Sequence, residues 1–401
     1  MKKSLLFCQF STQYLNKNTL KDISSQYYSG IYKYRKNQGY VKPSHFWELP
    51  LWIAEACGTL QRYNKRLYVI TDISQAIQYI KLLKPKYALF SVLDVNKQDV
   101  LKIITSCKNQ NFIIGGYIDF TEFKKLSNVA VLNSIKALSI YLKDNYQYKT
   151  DYALFKAYNV IPRLTLSNGC LNRCKFCTVQ KKIIEKTKRE VIQQAESFKN
   201  LNFKLVYIND KTFLQAKNYH LLSVAYDIIK SFNPDFKGFI VQTTASVCSN
   251  INNVKILKTL HVYAIELGIE TFNNYILKEL RKPQTEKIIV QAIENLKKYN
   301  LNIIGNFIIG FIQETKQSYH KTLNFINKYI DDFFLLNIYN LAIYNNTELS
   351  KDIKKNDIND SNELTLNKSF YNKEQIKNNK YFYNQIFKIG LKILKKWGGI
   401  T

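Results

Sequence analysis

The apolar positions along the chain form two successive runs in which short apolar stretches alternate with helix-period patterns. In the first run, residues 4–10, 67–71, 87–92, 112–116 and 129–132 read as strands. Between them, residues 49–62, 74–83, 96–107 and 134–142 carry apolar side chains at helical spacing. Strands separated by helices of this length predict a parallel sheet, so residues 1–150 are expected to form a doubly wound, Rossmann-like α/β domain. Residues 27–47 are rich in Tyr and Lys and show no clear period.

After a linker over 151–158 the alternation restarts. Strands are predicted at 161–166, 205–208, 238–243, 262–268, 302–309 and 333–339. Helices are predicted at 187–200, 217–231, 252–260, 285–299 and 316–329. Six such units in a row predict a partial (β/α)6 barrel of TIM type over residues 151–340, with chemistry at the C-terminal strand ends. Residues 341–401 are expected to be a helical appendage: a polar connector over 345–380, then an amphipathic helix over 381–397 that caps the barrel.

A length of 401 residues suits two domains and an appendage, and 46% hydrophobic with 22% charged residues is globular composition. No apolar run has the length of a membrane span. The first ten residues hold Ser4, Cys8 and Gln9 within a short apolar run and lack a small-residue cleavage site. They read as a strand rather than a signal peptide, and a cytoplasmic location is expected. The net charge of +29 is almost all lysine, with arginine only at 35, 62, 66, 163, 173, 189 and 281. Abundant Lys, Asn, Ile, Tyr and Phe fit codons rich in A and T, so the charge reads first as genome composition. Phosphate recognition favours the arginine fork, which is scarce here. A nucleic-acid-binding module, with the stretch from Tyr27 to Tyr40 as a stacking platform, stays open as an alternative.

Cysteine changes the picture more. Three of the seven cysteines lie in Ser167-Asn168-Gly169-Cys170-Leu171-Asn172-Arg173-Cys174-Lys175-Phe176-Cys177, directly after the first predicted barrel strand. Such clustering points to metal or redox chemistry. Three thiolates at C-x3-C-x2-C can face one cubane and leave its fourth iron without a protein ligand. Structural zinc usually takes four protein ligands, and no fourth is near: the loop has no His, and Cys248 is far along the chain.

This loop resembles that of the radical S-adenosylmethionine (SAM) enzymes, and the resemblance runs from about 161 to 339. It implies that Cys170, Cys174 and Cys177 hold a 4Fe–4S cluster, with Phe176 beside it. SAM would chelate the open iron, and its reductive cleavage would yield a 5′-deoxyadenosyl radical. An electron donor such as flavodoxin or ferredoxin is implied as partner. In related enzymes Asp210, after the second strand, would meet the SAM amino group, although a turn or N-cap aspartate reads almost equally well. Gln242 would reach the ribose or the substrate. Glu270, in Gly268-Ile269-Glu270, would lie near the ribose, with Glu266 structural. Asn306 and Gly310 would serve the cofactor from strand five, Gly310 by letting adenine approach the backbone. The family's Gly-x-Pro-Gly-Glu-Thr is here Gly310-Phe311-Ile312-Gln313-Glu314-Thr315, so that turn is not the usual one.

The first domain resembles the cobalamin-binding domain of one radical SAM branch, at Leu49-Pro50-Leu51-Trp52, Ala88-Leu89-Phe90-Ser91-Val92 and Phe112 to Gly116. Gly115 and Gly116 would let a ligand approach a strand end. There is no Asp-x-His-x-x-Gly, and His45 sits in a Tyr-rich stretch, so cobalamin stays open. A methylthiotransferase with a second cluster on Cys8, Cys57 and Cys107 is the rival. Two of these cysteines fall inside predicted helices, which favours buried, inert thiols.

Overall fold

Why the alternating pattern folds as two units is visible in a computed structural model. It describes residues 4–11, 14, 23–37, 49–93, 95–116, 118–158, 160–344, 347–353 and 369–396. His45 and most of the expected connector, at 345–346 and 354–368, lie outside the described residues. The first compact unit comprises Met1–Thr19, Val41–Ile161 and Ile192–Phe203. The second comprises Leu20–Tyr40, Pro162–Val191 and Lys204–Thr401.

The first unit is built on β1 (Ser4–Phe10). Helix α1 (Ile23–Asn37) follows in the chain but belongs to the second unit. Then come α2 (Leu51–Thr59), β2 (Asn64–Ile70), α3 (Ile73–Leu83), β3 (Tyr87–Val92), α4 (Lys97–Ser106) and β4 (Phe112–Gly116). Helix α5 (Thr121–Lys124), β5 (Val129–Val131) and α6 (Ile135–Tyr141) complete the alternation. All neighbouring strands are parallel, in the order β2-β1-β3-β4-β5, a doubly wound arrangement. Asp72 caps α3 by accepting from Gln75 N at 2.9 Å, and Ser134 caps α6 through Ala137 N. The segment 151–161 packs with this unit rather than serving as a free linker: Tyr152 meets Phe198 edge-on at 5.1 Å.

The Gly115–Gly116 pair answers to strand packing. A Cβ on Gly116, at φ +139°, would lie 1.9 Å from Val92 O, and one on Gly115 2.6 Å from Leu132 O. Neighbouring backbone therefore leaves no room for a side chain at either position.

The second unit continues with β6 (Arg163–Leu164), β7 (Ser167–Asn168), β8 (Ile184–Glu185) and the start of α7 (Lys188–Glu196), whose residues from Ile192 on belong to the first unit, then β9 (Leu205–Ile208) and α8 (Leu221–Phe232). Next are β10 (Gly238–Thr244), α9 (Ala245–Cys248), α10 (Ile251–Thr259), β11 (Val262–Glu270), α11 (Asn274–Glu279) and α12 (Glu286–Lys298). The chain closes with β12 (Asn302–Ile309), α13 (Lys316–Lys328), β13 (Phe333–Asn340) and α14 (Lys373–Lys396). Six parallel strands in the order β13-β12-β11-β10-β9-β6 make the partial barrel wall, while β7 and β8 form a small antiparallel ribbon. No helix among the described residues is long and apolar enough to cross a membrane.

An open wall has an edge strand whose backbone groups need partners. Tyr27 supplies them on β13. Its fully buried ring carries a hydroxyl that donates to Leu336 O at 2.7 Å and accepts from Leu336 N at 2.9 Å. Tyr28 donates to Ile338 O at 3.1 Å. Helix α1 packs on α14, where a Cβ on Gly390 would come within 2.7 Å of the Tyr27 ring. The Tyr-rich stretch thus contains a helix docked on the barrel edge, and two of its aromatics are committed there. Helix α14 starts eight residues before the expected 381, because Asn378 and Asn379 are buried polar side chains that break the apolar pattern.

Candidate functional site

The cysteine loop leaves the C-terminal end of the first barrel strand and is closed at its base by the β7–β8 ribbon, Ser167 facing Glu185 and Asn168 facing Ile184. Backbone bonds fix its course: Cys170 N donates to Gln180 O at 3.0 Å, and Cys177 N to Cys174 O at 3.2 Å. Lys175 N donates to Leu280 O, and Lys175 O accepts from Leu349 N, both at 3.0 Å. Gln215 accepts from Leu171 N and donates to Asn172, pinning the stretch between the first two cysteines.

Asp210 is the anchor of the loop's root. The residue is 2% exposed, Oδ1 accepts from Leu166 N at 2.9 Å and Ser167 N at 3.0 Å, and Oδ2 accepts from Ser167 Oγ at 2.5 Å. Burial pushes its carboxyl up, against the pull of these three donors. With both oxygens engaged, Asp210 is placed to hold the protein's own backbone rather than the SAM amino group expected from the resemblance.

Cys170 is 8% exposed, with Sγ 3.2 Å from Thr212 Oγ1; Cys174 and Cys177 are half-buried. Burial pushes the Cys174 thiol up, and Lys282 is the chief group opposing that. No three His, Cys, Asp or Glu side chains among the described residues converge on a single ion. A cubane offers a separate iron to each cysteine, so three thiols spread along one loop fit it.

Phe176 turns into an apolar cluster with Ile276, Leu280, Leu341, Leu349 and Phe311, its ring centroid 5.8 Å from that of Phe311. Packing of this kind sets the direction of the loop beside Cys177. Gln242 is half-buried near the C-terminal end of β10, paired in register with Glu266, which accepts from Tyr207 OH at 2.9 Å. Asn306 is buried on β12 and accepts from Asn337 Nδ2 at 3.0 Å.

Glu270 is near enough to Cys174 to act electrostatically on its thiol. It ends β11 at a bulge, where the register with β12 shifts between Gly268 and Glu270, and its φ is +66°. A left-handed non-glycine residue costs about 1–3 kcal/mol and persists only where its surroundings enforce it. Here Gln284 Nε2 donates to Gly268 O and Ile269 O, and Glu270 pairs with Lys282 at 2.5 Å. The sequence reading missed Lys282, which sits on a turn after α11 with no motif to mark it.

Gly310 has a different task from the one expected. Its N–H donates to Tyr319 OH at 3.0 Å and its C=O accepts from Tyr371 OH at 2.6 Å. At φ +99°, a Cβ there would lie 2.1 Å from the Tyr371 hydroxyl oxygen. Tyr319 OH also donates to Asn379 at 2.7 Å, so the glycine admits the C-terminal segment, not an adenine.

Glu314 is buried, bonded to Ser318 and just ahead of the capping box of α13. Burial pushes its carboxyl up to about 7, against hydrogen bonds from Ser318 and Thr271. A folded-state value above the unfolded one means stability that is complete below about pH 4.5 and lost as pH rises through about 7. Glu314→Gln is therefore expected to flatten the profile, gaining up to about 3 kcal/mol on wild type between pH ~5 and ~8. Urea unfolding at both pH values measures it, and parallel profiles would refute the shift.

The described geometry can be set beside known proteins. Residues 164–326 match the radical SAM superfamily. A tRNA-2-methylthio-N(6)-dimethylallyladenosine synthase of Buchnera aphidicola is 28% identical over 219 residues, covering 49% of each chain. An uncharacterized methyltransferase of Pyrococcus horikoshii is 27% identical over 176 residues, 42% of this chain and 37% of that one. The matched region thus spans about half, or less, of these relatives' length. Among solved structures, the radical SAM methyltransferase TsrM from Kitasatospora setae, with cobalamin and a [4Fe-4S] cluster bound, shares the fold at TM-score 0.59 and 11% identity. That likeness covers 88% of this chain and 74% of TsrM. The cobalamin-dependent SAM radical enzyme OxsB, with aqua-cobalamin bound, gives TM-score 0.60 at 14% identity, over 96% of this chain and 66% of that one.

Proposed function

From the match of residues 164–326 to the radical SAM superfamily, we propose that the chain is a radical SAM enzyme that binds a 4Fe–4S cluster and cleaves SAM reductively. The observation that carries this reading is the cysteine loop, anchored by Asp210 at the C-terminal mouth of the barrel wall. When bound, the cluster supplies one electron to SAM, giving methionine and a 5′-deoxyadenosyl radical that takes a hydrogen atom from the substrate. Cys170, Cys174 and Cys177 are the protein's ligands, and the missing fourth thiolate leaves one iron for SAM. Phe176, packed on Phe311, fixes the loop's direction. Glu270 and Lys282 place a buried ion pair beside the thiols. A donor of flavodoxin or ferredoxin type serves as the external electron source.

For the first unit the reading is cobalamin, and so methyl transfer or rearrangement after the radical forms. Two observations favour it over a methylthiotransferase with a second cluster. The fold is that of TsrM and OxsB across both units. Cys8, Cys57 and Cys107 are all buried, Cys8 and Cys107 in the apolar core of the sheet, with burial pushing each thiol up, that of Cys57 to about 12. The test is anaerobic reconstitution with iron, sulfide and hydroxocobalamin, then gel filtration and assay of the bound groups. About four irons and about one cobalamin per chain are expected. About eight irons without cobalamin would favour the second cluster, and no iron would sink the proposal.

A further inference from the structure

Lys282 is a buried cation beside the cluster ligands. Its ammonium lies 2.5 Å from a Glu270 carboxylate oxygen, and the two side chains are only 7% and 10% exposed. The pair is tightly enclosed: a Cβ on Gly268 would lie 2.9 Å from the Glu270 oxygen and 3.0 Å from the Lys282 nitrogen. Its turn is tied to the cysteine loop, because Lys282 N donates to Leu277 O while Lys175 N donates to Leu280 O. Lys282 lies near enough to Cys174 for its charge to oppose the rise that burial imposes on that thiol.

We propose that Lys282 is a positioning residue that raises the reduction potential of the cluster on Cys170, Cys174 and Cys177, with Glu270 holding its ammonium in place. The inference rests on the cluster reading above. Three thiolates around the oxidised core carry a net negative charge, and reduction adds one more. A fixed cation, little screened because it is buried, stabilises the more negative state. The step is a single electron transfer in which a ferredoxin- or flavodoxin-type donor is oxidised and the cluster reduced, with no bond made or broken. Glu270 opposes the effect in part, since its own charge is negative.

The test is a redox titration followed by electron paramagnetic resonance on the full-length reconstituted protein, without SAM, so that neither turnover nor cofactor binding enters. At the potential where half the wild-type clusters are reduced, Lys282→Met should lower the ratio of reduced to oxidised cluster about tenfold, a shift of about 59 mV. Lys282→Arg should restore most of it, and Glu270→Gln should move the midpoint the other way. If Lys282→Met fails to hold iron, the direction of the Glu270→Gln shift decides. Unchanged midpoints in the variants that hold iron overturn the inference, whether or not SAM affinity falls. A wild-type protein that takes up no cluster would instead overturn the reading on which the inference rests.

Discussion

Replacing Cys170, Cys174 and Cys177 together by alanine is expected to give a folded protein that holds no cluster and produces no 5′-deoxyadenosine from SAM. The loop owes its course to backbone bonds such as Cys170 N to Gln180 O and Lys175 N to Leu280 O, and to Asp210 at its root. None of these needs a sulfur atom. The apoprotein should therefore unfold near the wild-type temperature, while iron after reconstitution drops from about four per chain to almost none. Single variants should behave similarly, because two thiolates cannot replace a cubane's three-point attachment. Iron and sulfide assays with visible absorption spectra measure the loss. A triple variant that keeps its iron would remove these cysteines from the site.

Asp210→Ala is expected to have the second-largest effect, and its pattern separates two roles. The substitution leaves Leu166 N, Ser167 N and the Ser167 hydroxyl without their acceptor in a buried setting. An unmet buried donor costs about 1–3 kcal/mol, so a loss of about 3 kcal/mol, concentrated at the loop root, is the expected scale. Iron content after reconstitution should fall by more than about half, before SAM is added. Asp210→Asn keeps one acceptor oxygen and should lie between. Had Asp210 served the SAM amino group, Asp210→Ala would keep its cluster and lose only SAM affinity, measurable by equilibrium dialysis. Full iron content with weakened SAM binding is thus the contrary result.

What the sequence could and could not disclose follows from how each feature is encoded. The cysteine loop is local: three ligands and their spacing lie within eight residues, so no tertiary knowledge was needed to find them. The strands of both sheets are apolar runs between helix patterns, and the observed strands fall where that alternation put them. Helix α1 was hidden because its anchor is a hydroxyl: Tyr27 is buried to serve the backbone of Leu336, more than three hundred residues on. The early start of α14 was hidden for a like reason, Asn379 being a polar residue buried to meet Tyr319. Gly310 was legible as a close approach but not as to what approaches, since Tyr371 comes from a distant segment. Lys282 was invisible because its meaning depends on Glu270, twelve residues earlier, turning through a bulge. Long-range polar contacts, not apolar periodicity, hold what was missed.

The most direct measurement is SAM cleavage by the anaerobically reconstituted wild-type protein under a low-potential reductant, with 5′-deoxyadenosine and methionine quantified together. Equal amounts of both products, growing with time and absent without reductant or in the Cys170, Cys174, Cys177 triple alanine variant, are the expected result. A cluster-loaded wild-type protein that forms neither product, or a triple variant that forms both, would contradict the assignment of these cysteines to SAM cleavage.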